Sequence, residues 1–407
     1  MRQTRLLVLV VMAAFPAAAS PQGLPVGPEF PVNTYTTSDQ VLPSVAAAAS
    51  GDFVVVWQSY LQDGFISVFG QRFSAGGAPL GPEFRVNADT ANAQIRPSVA
   101  ADAAGNFVVA WTSFVLPSTP VAIMARRYAS SGAPLTGEFR VDTYTTGQHD
   151  EAAVAVDGAG GFIVVWVADG EDGSSRGVFG QRYAASGAAL GPEFRVNTDT
   201  IGPQTLPAVT ADAAGDFVVV WQGTGSSYDV FGQRYSAPGS PLGSQFQVNT
   251  STILNQDFAS VAADPAGNFV VAWHSQFPYQ IVGRRYAASG VPLTGEFVAS
   301  TTTVGDVSNT SIGMDSVGDF VVVWYGGSGP EDAFGRRYDA SGAALGPEFR
   351  VNTYSTDRQI VPAVSADAPG HFVVVWMSHD QDGAGYGIYG QRYSLIVPVA
   401  LTRFQVE

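Results

Sequence analysis

A seven-residue phrase, Gly215-Asp216-Phe217-Val218-Val219-Val220-Trp221, returns in every part of the chain. Its seven copies end at Trp57, Trp111, Trp166, Trp221, Trp273, Trp324 and Trp376, which are all the tryptophans of the 407 residues. A period of 51 to 55 residues marks a repeat architecture, in which each unit buries its apolar face on the next. One large repeat domain is therefore expected, although length alone would suggest two or three domains.

Each repeat divides into four short strands. Strand A is small and apolar, as in Pro207-Ala208-Val209-Thr210, and strand B is the Phe-Val-Val-Val-Trp run. Strand C is Val230-Phe231-Gly232-Gln233-Arg234-Tyr235, and strand D is Glu193-Phe194-Arg195-Val196-Asn197. Between A and B stands Asp-x-x-Gly, a turn in which Asp bonds nearby backbone and Gly takes a positive φ. Strand B is apolar on both faces, which requires burial on both sides. Small, then broad, then polar is the order of a propeller blade from axis to rim. The expected fold is all-β, a seven-bladed β-propeller of four-stranded antiparallel blades, occupying residues 21–407.

The spacings show where the repeats differ. The strand D Phe precedes the next Trp by 27 residues in every repeat, from Phe30 and Trp57 to Phe349 and Trp376. The strand C Arg precedes the next strand D Phe by 12. Only the Trp-to-Arg distance changes, running 15, 16, 16, 13, 12, 13 and 16. All length variation thus falls in the B–C loop, and variable loops on a rigid frame are where binding usually resides. Eight D-type segments serve seven blades, so the ring closes through either the N-terminal strand 27–33 or the C-terminal strand 401–407; the former keeps the Gly-Pro-Glu start.

Residues 1–20 read as a secretory signal peptide. Arg2 and Arg5 supply the charged start, Leu6 to Phe15 the apolar run, and Ala17-Ala18-Ala19 the cleavage region. The apolar run is far short of the ~20 residues that span a bilayer. Cysteine is absent, which excludes disulfides, thiolate metal sites, a cysteine nucleophile and a lipoprotein anchor. The formal net charge is −15, a field that repels phosphate backbones and anionic membranes. A secreted or surface-associated monomer is expected, facing an extracellular glycan or protein, with neither nucleic acid nor membrane as partner.

Glu-Phe-Arg-Val-Asn-Thr, Gly-Asp-Phe-Val-Val-Val-Trp and Phe-Gly-Gln-Arg-Tyr resemble the tandem repeats of secreted bacterial β-propeller proteins, usually of unassigned function. The resemblance covers nearly all of residues 24–407. It implies an extracellular binding or structural role and brings no catalytic residue. Repeat 6 departs from it, with Phe297-Val298-Ala299-Ser300 in place of Phe-Arg-Val-Asn.

The chemistry-bearing positions gather in the variable loops. Carboxylates stand there at Asp63, Asp169, Asp172 and Asp332, and aromatics at Tyr60, Phe114, Tyr228, Tyr279, Tyr325 and Tyr386. Rings beside carboxylates can stack on sugar faces. His379 lies among them, beside Asp380 and Asp382, whose alternation before Gly383 has the look of a calcium loop without its distant bidentate Glu. Calcium is the one cofactor the sequence suggests. Arg72, Arg127, Arg182, Arg234, Arg285, Arg337 and Arg392 hold one position per repeat and read as structural, paired with the Glu before the next strand D Phe, as Arg72 with Glu83 or Arg337 with Glu348; repeat 4 offers only Gln245 there. No nucleophile–base spacing emerges. The sequence reading is a non-enzymatic binding or adhesion scaffold with its ligand face on the B–C loops; a glycan-active hydrolase or lyase and a purely structural matrix protein are the alternatives.

Overall fold

Strand B meets strand C with no register break in every repeat, and each such pair is the middle of an antiparallel sheet, four-stranded in six repeats and in the seventh carrying a further short N-terminal strand. In the first blade the order is Gln40–Ala47, Phe53–Tyr60, Ile66–Phe73 and Phe84–Arg85. Seven sheets of this kind form a seven-bladed propeller in a computed structural model describing residues 23–394, apart from 115–121, 225–226, 302–305 and 367–368. Residues 1–20, read above as a signal peptide, and 401–407, read as a candidate closing strand, lie outside the described residues.

Strand B is buried on both faces because each blade is sandwiched between two others. Trp273 packs with Phe269 and Val271 of its own blade and with Val218 and Val220 of the blade before. The seven Trp side chains are the largest fully buried groups. In five blades a Gln at the start of strand A accepts from the indole, as Gln204 does from Trp221 at 2.9 Å. A Phe from one blade's strand D seals each joint: Phe84 leans on Tyr128 at 5.6 Å, which itself stacks on Phe107 at 4.8 Å. Strand C keeps Gly232 opposite Phe246 because a Cβ there would lie 2.8 Å from the ring.

Strand D is shorter than expected, two residues per blade. Its backbone is continued by the Asn that follows in five repeats, which takes over the ladder with its side chain: Asn249 Oδ1 accepts from Val230 N at 2.7 Å while Nδ2 donates to Ser251 O at 2.8 Å. Six of the arginines, Arg72, Arg127, Arg182, Arg234, Arg285 and Arg392, are tied to backbone rather than to the expected Glu. Arg72 donates to Ser131 O at 2.6 Å, Arg182 to Pro238 O and Arg285 to Ser341 O at the same distance. Each of these carbonyls belongs to the C–D turn of the next blade, so the guanidinium staples neighbours. The pairing with Glu fails because Glu83 is engaged elsewhere, accepting from Thr34 N at 2.8 Å and from Gln62. Arg337 is buried over the Phe372 ring.

Blade 7 completes itself with the N-terminus. Leu24–Pro25 and Phe30–Pro31 both pair with Tyr386–Ser394. Glu29 repeats across the seam the bond that Glu83 makes elsewhere, accepting from Thr353 N at 2.7 Å. Arg392 likewise reaches Ala75 O of the first blade. The ring is latched on both faces.

Candidate functional site

The innermost strand carries a feature that the sequence reading missed. In all seven blades the A–B register shifts by one residue near the start of strand A, as between Val41 and Ser44 or Asp257 and Ser260. At each bulge one non-glycine residue takes a left-handed conformation: Leu42, Arg96, Glu151, Leu206, Phe258, Asn309 and Val361, with φ from 51° to 59°. Such a conformation costs about 1–3 kcal/mol per residue and collects at functional sites. These seven residues ring one end of the propeller axis and line a cavity of about 460 Å³. Deeper along the axis, the small side chains of strand A surround a further space of about 300 Å³. The signal for the ring was present: this is the most variable position of strand A, set between an almost constant Gln and, in four blades, a Pro.

The mouth is chemically lopsided. Leu42, Leu206, Phe258 and Val361 make it apolar over most of its circumference. Blades 2 and 3 make it charged. Arg96 contacts Asp150 at 2.9 Å and Glu151 at 3.5 Å. Glu151 also meets Arg176 at 3.5 Å and accepts from Leu206 N at 2.7 Å, so this carboxylate is held by both cations and by the bulge of the next blade. Across the mouth, blade 5 sets large apolar groups in solvent: Phe258 is 37% exposed, Tyr279 48% and Phe277 64%. Beneath them His274 pairs with Asp257 at 2.7 Å through Nδ1, and its Nε2 is buried without a partner. Tyr279 lies nearly parallel to the imidazole, 6.0 Å away.

A second histidine pair stands in blade 3, where Asp142 and His149 replace the usual Asn and Gln. Their contact is 2.7 Å, and Arg140 reaches the same carboxylate at 2.5 Å. Burial would raise the Asp142 carboxyl, but hydrogen bonds from His149 and Arg140 outweigh it and hold it below the usual carboxylate range. The exchange orphans both His149 Nε2 and Trp166 Nε1. On the rim of the same blade Glu171 faces Glu193, and burial, followed by the Glu193 charge, pushes its carboxyl up to about 7.

Most loop residues singled out from sequence hold their own loops together. Asp63 accepts from Ser67 at 2.8 Å and Arg85 at 3.1 Å; Asp332 accepts from Asn352 at 2.6 Å. Asp172 accepts from Ser174 N at 2.9 Å, and Asp169 pairs with Arg176 at 3.1 Å. Tyr60, Phe114 and Tyr228 are half-buried at strand ends, and Tyr325 and Tyr386 pack on the apolar cluster around Trp57. Tyr279 alone of the six aromatics is largely exposed. Asp380 and Asp382 point to different partners: Asp382 Oδ1 accepts from Ala384 N at 3.3 Å, whereas Asp380 lies beside His379 at 3.5 Å. Among the described residues the one trio with ligand atoms within 4.8 Å of one another includes Asp380 but not Asp382.

No family model matches the sequence, and no curated protein matches it. The fold has many counterparts among solved structures. A protein of unknown function from Dyadobacter fermentans is 12% identical, with a TM-score of 0.56 over 92% of this chain and 99% of its own. An ulvan lyase of polysaccharide lyase family PL25, bound to -[GlcA(1-4)Rha3S]-, is 11% identical, with a TM-score of 0.56 over 90% of this chain and 96% of its own. A Hadza microbial sialidase is 12% identical, with a TM-score of 0.51 over 81% of this chain and 73% of its own. At such identities the likeness is one of fold. It nevertheless overturns the expectation of a non-enzymatic binding or adhesion scaffold, and with it the expectation of no catalysis. That expectation rested on a constant frame with one variable loop face, and the same frame serves named glycan-active enzymes.

Proposed function

We propose that this chain is a secreted, glycan-active enzyme, a hydrolase or lyase that binds a polysaccharide across the mouth of the ring and cleaves it there. One observation carries the reading. Within a single cavity of about 460 Å³, a carboxylate–guanidinium pair (Glu151 and Arg96, the latter also held by Asp150) faces an apolar wall, and seven strained bulges hold that mouth. A sugar chain needs both sides: apolar rings for its C–H faces, and charged groups to orient hydroxyls and move protons. Glu151 is the carboxylate placed to act on substrate. Arg96 positions it, and Phe258 offers the stacking surface.

The leader-like start at Arg2, Arg5 and Leu6 to Phe15 supports export, as does the resemblance of the repeats to secreted bacterial propeller proteins. No helix among the described residues is long and apolar enough to cross a membrane. The test is a panel of neutral, uronic and sulfated polysaccharides incubated with residues 21–407. Reducing ends alone would indicate hydrolysis, and reducing ends with unsaturated uronate would indicate elimination. Glu151→Gln is expected to abolish either signal while the chain stays folded. Turnover unaffected by Glu151→Gln would move the chemistry away from the mouth.

A further inference from the structure

The B–C loops of blades 1 and 7 share a frame. Ser59 donates to Gln62 at 2.9 Å and Ser378 to Gln381 at 2.6 Å, and the two glutamines donate in turn to Glu83 and Glu29. The fourth residue after Trp is left-handed in both, Leu61 at φ 62° and Asp380 at φ 56°. Both turns close alike, Gly64 N on Leu61 O at 3.1 Å and Gly383 N on Asp380 O at 3.2 Å. Against this frame three positions differ together. Where blade 1 has Ser38, Tyr60 and Leu61, blade 7 has Asp357, His379 and Asp380. Blade 1 shows that the loop forms without a histidine or a carboxylate at any of them.

The three side chains converge. Asp357 Oδ1 is occupied by Arg358 N at 2.8 Å and Asp380 Oδ1 by Gly385 N at 3.0 Å. Their Oδ2 atoms turn to His379 Nδ1, at 3.0 and 3.5 Å. One ligand atom from each residue lies within 4.8 Å of the others, and among the described residues no second trio does so. The adjacent guanidinium is drawn off, since Arg358 binds Glu331 at 2.8 and 3.0 Å.

We propose that Asp357, His379 and Asp380 form a binding site for a divalent transition cation of the zinc type. An imidazole with two carboxylates suits a borderline metal, whereas calcium takes six to eight oxygens. Asp357 lies on the connection entering blade 7, His379 ends its strand B and Asp380 opens the B–C loop. A bound cation would pin one to the other next to the seam where Gln381 reaches Glu29 and the ring closes. The site stands independently of the glycan reading.

The triple variant Asp357→Ser, His379→Tyr, Asp380→Leu gives blade 7 the residues of blade 1 and so keeps a loop that is known to form. Melting is recorded on chelator-stripped protein with zinc and, separately, with calcium. Zinc at a hundredfold excess over Kd is expected to raise the wild-type Tm by on the order of 3 °C, with calcium inert and the triple variant unresponsive. Cobalt should give a visible ligand-field band in the wild type that His379→Tyr alone removes, which settles the matter should the triple variant not fold. A zinc shift of equal size in the variant, no shift in the wild type, or an equal response to calcium would overturn the site.

Discussion

The two faces of the ring obey different rules. On the face carrying the A–B and C–D turns, the blades repeat one solution with few departures, Ala48 in place of the Asp in blade 1 among them. Asp-x-x-Gly closes the hairpin, as Gly105 N does on Asp102 O at 2.9 Å, and a strand C arginine ties the C–D turn of the next blade to itself. On the opposite face, B–C loops differ in length, bulge residues run from Leu to Glu to Asn, and three blades carry His–Asp contacts. Uniformity on one face holds the ring in shape, which lets the other face carry strain and unsatisfied groups. The variable face can therefore change chemistry without changing fold.

This comparison breaks most visibly at the residues between the faces. Trp221→Ala removes a fully buried indole and strands Gln204; a loss of about 3–5 kcal/mol is expected, read by denaturant unfolding. On the uniform face, Arg234→Ala deletes the bonds to Ala288 O and Ser289 O and is expected to cost about 1–2 kcal/mol, with polysaccharide turnover unchanged. Equal damage to turnover would show that the two faces are not separable. Phe258→Ala, on the variable face, should do the reverse, weakening substrate binding severalfold with little change in melting temperature.

The smallest effect depends on pH. Blades 1 and 7 place Gln62 and Gln381 where blade 3 places Glu171, and Glu171 meets Glu193. Its carboxyl ordinarily titrates near 4.5 and is pushed up to about 7 in the fold. Below the unfolded value both states are protonated and nothing is lost. As pH rises from about 4.5 through about 7, the unfolded chain ionises first and stability falls. Glu171→Gln restores the amide of the other blades. Its melting temperature should exceed the wild type's at pH 8 and approach it at pH 5; the same gain at both values would contradict the raised Glu171 carboxyl.

Much of this was legible in the sequence. The seven Trp phrases fixed blade number, and the constant distances of 27 and 12 residues located the variable loop face. The arginine partners were not legible, because a repeat shows only that Arg72 and Glu83 keep step, whereas Arg72 reaches Ser131 of the next blade and Glu83 accepts from Thr34 and Gln62. The bulge ring was hidden for another reason. A left-handed Leu42 or Phe258 violates local preference, so nothing in residue type announces it; only variability between a constant Gln and a frequent Pro marks the place. Tyr325 and Tyr386 misled in the opposite sense, being loop aromatics that turn inward onto the core.

The claim most in need of a direct test is that the mouth is where chemistry happens. Residues 21–407 and the Glu151→Gln variant, shown by melting to be equally folded, would be assayed side by side on the polysaccharide that the wild type degrades fastest. The account predicts a fall of about 10²–10⁴-fold in kcat/KM at unchanged stability. An equally active Glu151→Gln variant, or a wild type that cleaves no polysaccharide at all, would contradict it.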